Sequence, residues 1–223
     1  MHASRPEVYF RAGQEALRCI RLAMLAAGKD GVDSVLDFGC AFGRVLRVLK
    51  AAFPQAQLTA CDVRKQGIAF CAEAFGATPV LSTHDPGEIE LRSSYDLIWS
   101  SGHLTHIPED RWTAFVKLFE SVLSPGGVLV FTTYGRAIAE MLRAEGQGLG
   151  LKPEQVPGVL RDYEERGFGF FGDMLPAGRG DTLVSPAWVC EQLDAAPSLE
   201  LLLYLEHAWL GQDVIACSKV MAP

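Results

Sequence analysis

Two acids and a glycine-rich turn carry most of the chemistry readable in this chain. The run Val35-Leu-Asp-Phe-Gly-Cys-Ala-Phe-Gly-Arg44 sets Asp37 near the end of an apolar strand and then places Gly39, Ala41 and Gly43 at alternate positions. A turn of this kind between a strand and a helix lets a ligand approach the backbone and meet the helix N-terminus. A dinucleotide turn reads G-x-G-x-x-G and keeps the end of its strand apolar, whereas here Asp37 interrupts the strand and the spacing is G-x-A-x-G. An acid at that point would oppose a pyrophosphate and suits a ligand carrying a cation. Asp62, followed by Val63, closes the next apolar run, where an acid can grip two ribose hydroxyls. Hydrogen bonds to a charged group contribute roughly 1.5–3 kcal/mol each. A helix N-cap is the competing role for Asp62 alone, and the turn and Asp37 together weigh against it.

A second group falls beyond the fourth and fifth apolar runs, where the crevice of a parallel sheet opens: Ser100, Ser101, His103, His106 and Tyr134. Histidine has a pKa suited to base work near neutral pH. His103 and His106 share a face only if their segment is helical, and for His106 a packing role competes with a catalytic one. His84 and His207 read as surface or structural residues.

These residues need a scaffold, and the chain alternates short apolar runs with helix-periodic segments, the pattern of a parallel sheet covered by helices. Tyr9 to Ala27 has helical spacing with Leu17, Ile20, Met24 and Leu25 on one side. Strands are expected at 34–38, 57–62, 78–82, 95–100 and 128–133, with helices at 44–53, 65–75 and 109–123. Pro108 is expected as the first residue of the last helix, and Ser124-Pro-Gly-Gly as a turn. From Gly146 to Gly180 glycines, prolines and the aromatic run Phe168-Gly-Phe-Phe-Gly break the pattern, which reads as a long loop of the lid or binding type. Ser185-Pro186 then opens a helix to about Asp194, and strands at 199–206 and 213–219 close the domain.

With the motifs in this order, Asp37-x-Gly39-x-Ala41-x-Gly43, Asp62, Tyr95-Asp-Leu-Ile-Trp-Ser and Leu123-Ser-Pro-Gly-Gly-Val-Leu-Val, the chain resembles class I S-adenosylmethionine-dependent methyltransferases. The resemblance implies an α/β, Rossmann-like three-layer sandwich with a seven-stranded, mostly parallel sheet and one antiparallel strand. It implies one domain over 1–223, with an N-terminal helix and a lid or acceptor-binding insert over about 135–184. It further implies S-adenosyl-L-methionine as cofactor, S-adenosyl-L-homocysteine as product, and binding by Asp37, Gly39, Ala41, Gly43, Asp62, Val63 and Ser100. Asp85 falls where the family often holds the adenine amino group, and a surface turn in His84-Asp-Pro-Gly accounts for it equally well. Tyr9 and Arg11 resemble residues that close over the cofactor, with packing roles as the alternative. Ala41 stands where the family has its middle glycine, adding a methyl against the ligand and strain if φ is positive. Catalytic candidates are His103, His106 and Tyr134, or no base at all, since holding an acceptor in line can supply up to roughly 7–11 kcal/mol.

The absences narrow the acceptor. The fourth strand runs into Trp-Ser-Ser-Gly-His, which lacks the motif of amino-methylating DNA enzymes, any carboxylate to begin a magnesium site, and the paired-glutamate loop of arginine methyltransferases. A net charge of −7 argues against a nucleic-acid partner. No metal site is expected, and the acceptor is expected to be a small molecule, a sugar or another glycan-type or carrier-bound metabolite. The segment from His207 to Lys219, with Tyr134-Gly135, resembles a bacterial subgroup associated with glycan and secondary-metabolite pathways. A homodimer is left open. A cofactor-binding module that supports a partner, or another transferase using the same pocket, are the alternatives to methyl transfer. Cys19, Cys40, Cys61, Cys71, Cys190 and Cys217 show no C-x-x-C spacing and, with no apolar run long enough to span a bilayer, suggest a reduced, cytoplasmic protein.

Overall fold

The computed structural model describes residues 6–91, 94–172 and 180–220. Helix α1 (Pro6–Ala26) leads into the alternating core: β1 (Ser34–Phe38), α2 (Leu46–Ala52), β2 (Gln57–Asp62), α3 (Lys65–Phe75), β3 (Thr78–Leu81), β4 (Tyr95–Ser100), α4 (Glu109–Val122) and β5 (Leu123–Thr133). There follow α5 (Arg136–Glu145), α6 (Val156–Arg166), β6 (Phe168–Gly172), β7 (Gly180–Val184), α7 (Pro186–Leu193), β8 (Leu199–Trp209) and β9 (Gln212–Lys219).

Seven strands form one sheet in the order β3-β2-β1-β4-β5-β9-β8. Strands β1 to β5 pair in parallel, and β9 runs antiparallel to both neighbours, Phe131 opposite Ile215 on one side and Tyr204 opposite Ile215 on the other. This is the expected sheet with its one antiparallel strand. Its two faces are both covered, which is why the central strands are apolar on both sides. On one face Val35, Leu97, Trp99 and Val130 pack with residues of α1, α2 and α3. On the other, Leu36, Phe38, Ile98 and Phe131 pack with Phe115 and Phe119 of α4 and Trp188 of α7. The order reverses at β1, whose neighbours are β2 and β4, so the crevice opens beyond the carboxyl ends of those strands.

Several local expectations are corrected. The buried stripe of α1 is Ala12, Ala16, Cys19, Ile20, Ala23 and Met24, whereas Leu25 is 77% exposed. That stripe keeps the period of a helix and its small residues bring α1 close to the sheet, while Leu25 falls one position outside it. Pro108 is the N-cap of α4, in an extended conformation (ψ 164°), rather than its first helical residue. Ser124 to Gly127 bulge out of β5: Tyr95 pairs with Leu123, but Leu97 pairs with Val128. The long irregular loop expected at 146–180 is instead largely built. It contains α6 and β6, and the latter pairs antiparallel with β7, Phe170 opposite Thr182. With α5, these elements bury their own cluster of Ile138, Leu142, Val156, Leu160, Tyr163 and Leu183. Residues 173–179 of the expected insert lie outside the described residues. Among the described residues, no helix is long and apolar enough to cross a membrane.

Candidate active site

The end of β1 sets the first group. Alternation along the strand sends Leu36 and Phe38 toward α4 and Asp37 toward α2, where its carboxyl is 1% exposed. Burial pushes Asp37 up to about 7, against a Leu46 backbone hydrogen bond that lowers it; the charge of Asp62 raises it and that of Arg44 lowers it. Its Oδ2 has no hydrogen-bond partner among the described residues. An unpaired buried carboxylate oxygen is costly, and a cationic ligand would relieve it.

The turn after β1 leaves the sheet through Gly39 (φ +84°), Ala41 (φ +48°) and Gly43 (φ +71°), all left-handed. At Gly39 a Cβ would lie 2.7 Å from the Ser101 carbonyl oxygen, so the turn passes against the loop after β4 only because no side chain stands there. Ala41 takes the strained conformation that a glycine would adopt freely. Asp62, at the end of β2, holds this turn: its Oδ2 accepts from Ala41 N–H at 2.8 Å and its Oδ1 from Arg64 N–H at 2.9 Å. The N-cap of α3 is Arg64, without a side-chain cap, so Asp62 organises the glycine turn rather than simply capping the helix.

A cleft of ≈ 280 Å³ lies between these parts, and its lining includes Asp37, Gly39, Ala41, Asp62 and Val63 together with His103 and His106. The structure thus brings five of the cofactor candidates from the ends of β1 and β2 into one space with the two histidines after β4. Gly43 is outside the lining and packs on α3, where a Cβ would meet the Phe75 ring. Ser100 is fully buried one residue before the lining residue Ser101, and its hydroxyl has no partner among the described residues. Asp85 caps a single turn by accepting from Gly87 N–H at 2.9 Å and does not line the cleft. Tyr9 donates to the Phe42 carbonyl at 3.2 Å, and both Tyr9 and Phe10 lie over the Arg47 guanidinium.

His103 sits edge-on to Phe38 and Phe115, with ring centroids 4.7 and 4.1 Å away. Tyr134 presents an edge to His106 at 6.3 Å but lies outside the lining. Burial, and then the charge of Asp181, push the Tyr134 hydroxyl up to about 12, so it stays protonated at neutral pH. Sequence reasoning passed over the wall formed by Trp209, Leu210 and Gln212 at the β8–β9 turn. Gln212 is 9% exposed with Oε1 unpartnered among the described residues, and Trp209 donates to the Ala12 carbonyl at 2.7 Å, tying α1 to the cleft. Their place beside the end of β5 was the available signal, since an antiparallel partner of β5 must turn there. A larger hollow of ≈ 510 Å³ near β3 and Tyr95 holds neither the glycine turn nor the histidines.

Residues 35–127 match the family model described as a methyltransferase domain. The chain is 32% identical over 139 residues to a malonyl-[acyl-carrier protein] O-methyltransferase of Acetivibrio thermocellus, covering 60% of this chain and 48% of that protein. It therefore spans about half the length of the curated relatives it matches. Among solved structures, Burkholderia thailandensis 1,6-didemethyltoxoflavin-N1-methyltransferase, with S-adenosylhomocysteine bound, superposes with a TM-score of 0.62 at 16% identity, over 92% of this chain and 78% of that one. An S-adenosylmethionine-dependent methyltransferase from Clostridium acetobutylicum gives 0.64 at 13% identity, over 94% and 92%. These two likenesses show the fold alone, while the matched segment covers β1, β2, β4 and the glycine turn. Residues 35–127 thus carry a methyltransferase-domain match, and the sheet topology is the Rossmann-like fold shared with class I S-adenosylmethionine-dependent methyltransferases, which the chain resembles in motif order as well.

Proposed function

We propose that the protein transfers a methyl group from S-adenosylmethionine to an oxygen, or secondarily a nitrogen, of a small or carrier-borne acceptor, without a metal. The observation that carries this reading is the pair of carboxylates in one cleft: Asp37, buried with a free oxygen, and Asp62, anchored on the glycine turn. Asp37 suits the ammonium group of the cofactor's methionine part, and Asp62 retains lone pairs for two ribose hydroxyls beyond the two backbone donors it already accepts. Gly39 and Ala41 let the ligand lie against backbone between them. S-adenosylmethionine supplies a methyl group on a sulfonium that is already a good leaving group. The chain's own work is then to hold the acceptor in line and exclude water.

The acceptor side is bounded by His103, His106 and the Trp209–Gln212 turn, and we assign α5, α6 and the β6–β7 hairpin as the wall above it. The curated relatives are named for a malonyl group on acyl-carrier protein, which offers a carboxylate oxygen; glycan-type and secondary-metabolite acceptors offer hydroxyls. Calorimetry with S-adenosylmethionine and S-adenosylhomocysteine, followed by S-adenosylhomocysteine release across both acceptor classes, tests the proposal. Binding of neither ligand overturns it; binding without turnover of any acceptor favours a cofactor-binding module instead.

A further inference from the structure

His106 is held from behind by the hairpin. Its Nδ1 lies 2.8 Å from Asp181 Oδ1 and 3.0 Å from the Gly180 carbonyl oxygen. A carboxylate and a carbonyl only accept hydrogen bonds, so the ring nitrogen facing them carries a proton. In the neutral ring the lone pair then sits on Nε2, on the other side. His106 lines the cleft with 34% of its side chain exposed, while Asp181 behind it is 18% exposed.

The support is stiff. Thr182 N–H donates to the Thr105 carbonyl at 2.8 Å, and Thr182 Oγ1 to the Ile107 carbonyl at 2.5 Å. One backbone and one side-chain bond from Thr182 therefore bracket His106 and tie its loop to β7, which fixes where Asp181 stands. The surrounding charges are also sorted. The cleft's lining contains two arginines: Arg44, whose charge acts on Asp37, and Arg64, whose N–H is bonded to Asp62. Among the described lining residues, the His106 end offers no Lys or Arg to hold an anion.

We infer that Asp181 is a positioning residue that fixes His106 with Nε2 as a proton acceptor, and that the methyl acceptor is a hydroxyl-bearing molecule rather than a carboxylate. This rests on the methyl-transfer reading. The hydroxyl oxygen forms a bond to the methyl carbon, the carbon–sulfur bond breaks with its electron pair going to sulfur, and the hydroxyl proton passes to His106 Nε2. The sulfonium charge is lost, and the imidazolium that replaces it lies against the Asp181 carboxylate. A carboxylate acceptor has no proton to give and would set lone pairs against lone pairs.

The test has an arm that needs no acceptor. In protein carrying ¹⁵N-labelled histidine, at a pH where the ring is neutral, the His106 signals are assigned by their loss in His106→Gln. A proton on Nδ1 supports the inference, and a proton on Nε2 overturns it whatever the enzyme turns over. The second arm offers wild-type protein 4-hydroxybenzoate, which carries both acceptor types, and malonyl-coenzyme A. A methoxy product is expected; a methyl ester from either probe overturns the inference. With a methylated hydroxyl, Asp181→Asn is expected to lower kcat by about a hundredfold, the scale of general-base help and of a ring turned to the wrong tautomer. KM and S-adenosylhomocysteine affinity should stay within about twofold, and Asp181→Glu should recover much of the rate. Unchanged kcat in Asp181→Asn, or in His106→Gln, overturns the role. Failure of wild-type protein to bind S-adenosylhomocysteine is a separate result, which sinks the methyl-transfer reading rather than the ring assignment.

Discussion

The Asp62 carboxylate and the Ala41 backbone N–H are joined at 2.8 Å, so the acid expected to grip a ribose also fixes the turn on which the ligand lies. One side chain thus contributes to shape and to recognition, and its removal affects both. Asp62→Ala is expected to weaken S-adenosylmethionine binding at least about tenfold, consistent with roughly 1.5–3 kcal/mol per charged hydrogen bond. Isothermal calorimetry reads this directly, and an unchanged affinity removes Asp62 from the site.

Asp37→Asn separates stability from binding. The buried carboxyl sits at about 7 in the folded protein against an ordinary 3.8. Between those values the folded state binds the proton more tightly than the unfolded state, so stability falls as pH rises from about 4 to about 7, and the loss is complete above. The asparagine variant should lack that slope and be more stable at pH 8 by about 2–4 kcal/mol, while binding the cofactor at least about tenfold more weakly. Thermal unfolding at pH 5 and pH 8 checks it. A variant less stable than wild type at pH 8 would show that this carboxylate is not the strained charge.

The same acid makes ligand binding depend on pH. A cation gains from Asp37 only once it is ionised, so wild-type affinity for S-adenosylmethionine should strengthen between pH 6 and pH 8 and level off above. In Asp37→Asn this limb should vanish. Titrations at three or four pH values decide the matter.

Ala41 at φ +48° is in a conformation that L-residues adopt at a cost of about 1 kcal/mol. Ala41→Gly should release this strain, offset largely by the greater freedom of glycine in the unfolded chain, for a net gain of at most about 0.5 kcal/mol. It should also tighten cofactor binding by removing a methyl from the lining. A lower melting temperature together with weaker binding would show that the methyl has a packing role.

Trp209 joins α1 to the cleft wall through its hydrogen bond to Ala12 and its edge-to-face contact with Trp99 at 5.4 Å. Trp209→Ala should destabilise the fold by about 3–5 kcal/mol, and Trp209→Phe by about 1–2, since the ring contact survives and one buried hydrogen bond is lost. Urea denaturation of the two variants gives the comparison, and equal losses would assign the whole effect to the hydrogen bond.

The sheet was legible in the sequence because buried parallel strands are apolar runs whose ends carry distinctive residues: Asp37 and Gly39 after β1, Asp62 after β2, Ser100 to His106 after β4. The insert was not, for two local reasons. In α6 a proline and a glycine follow Val156, and they read as breakers although proline is tolerated in a first turn. In β6 the glycines that interrupt the aromatics are there for packing, since a Cβ on Gly169 would lie 2.5 Å from the Val159 carbonyl of α6. Leu25 was misplaced because α1 packs through alanines, which carry little hydrophobic signal. Asp181 had no signal at all. Its partnership with His106 crosses the whole insert, and no spacing rule connects residues so far apart in sequence.

The placement of β9 between β5 and β8 bears on how the molecule is made. Residue 128 pairs with residue 218, and β8 has no partner until the strand after it arrives. The right-hand part of the sheet therefore closes last and out of order, through pairings of long sequence separation that carry a high loop-closure entropy. Until that moment β5 presents an unsatisfied edge of Val128, Val130 and Phe131, so the folding chain is most exposed to misassociation at the strand on which β9, next to the cleft-lining Trp209–Gln212 turn, later docks.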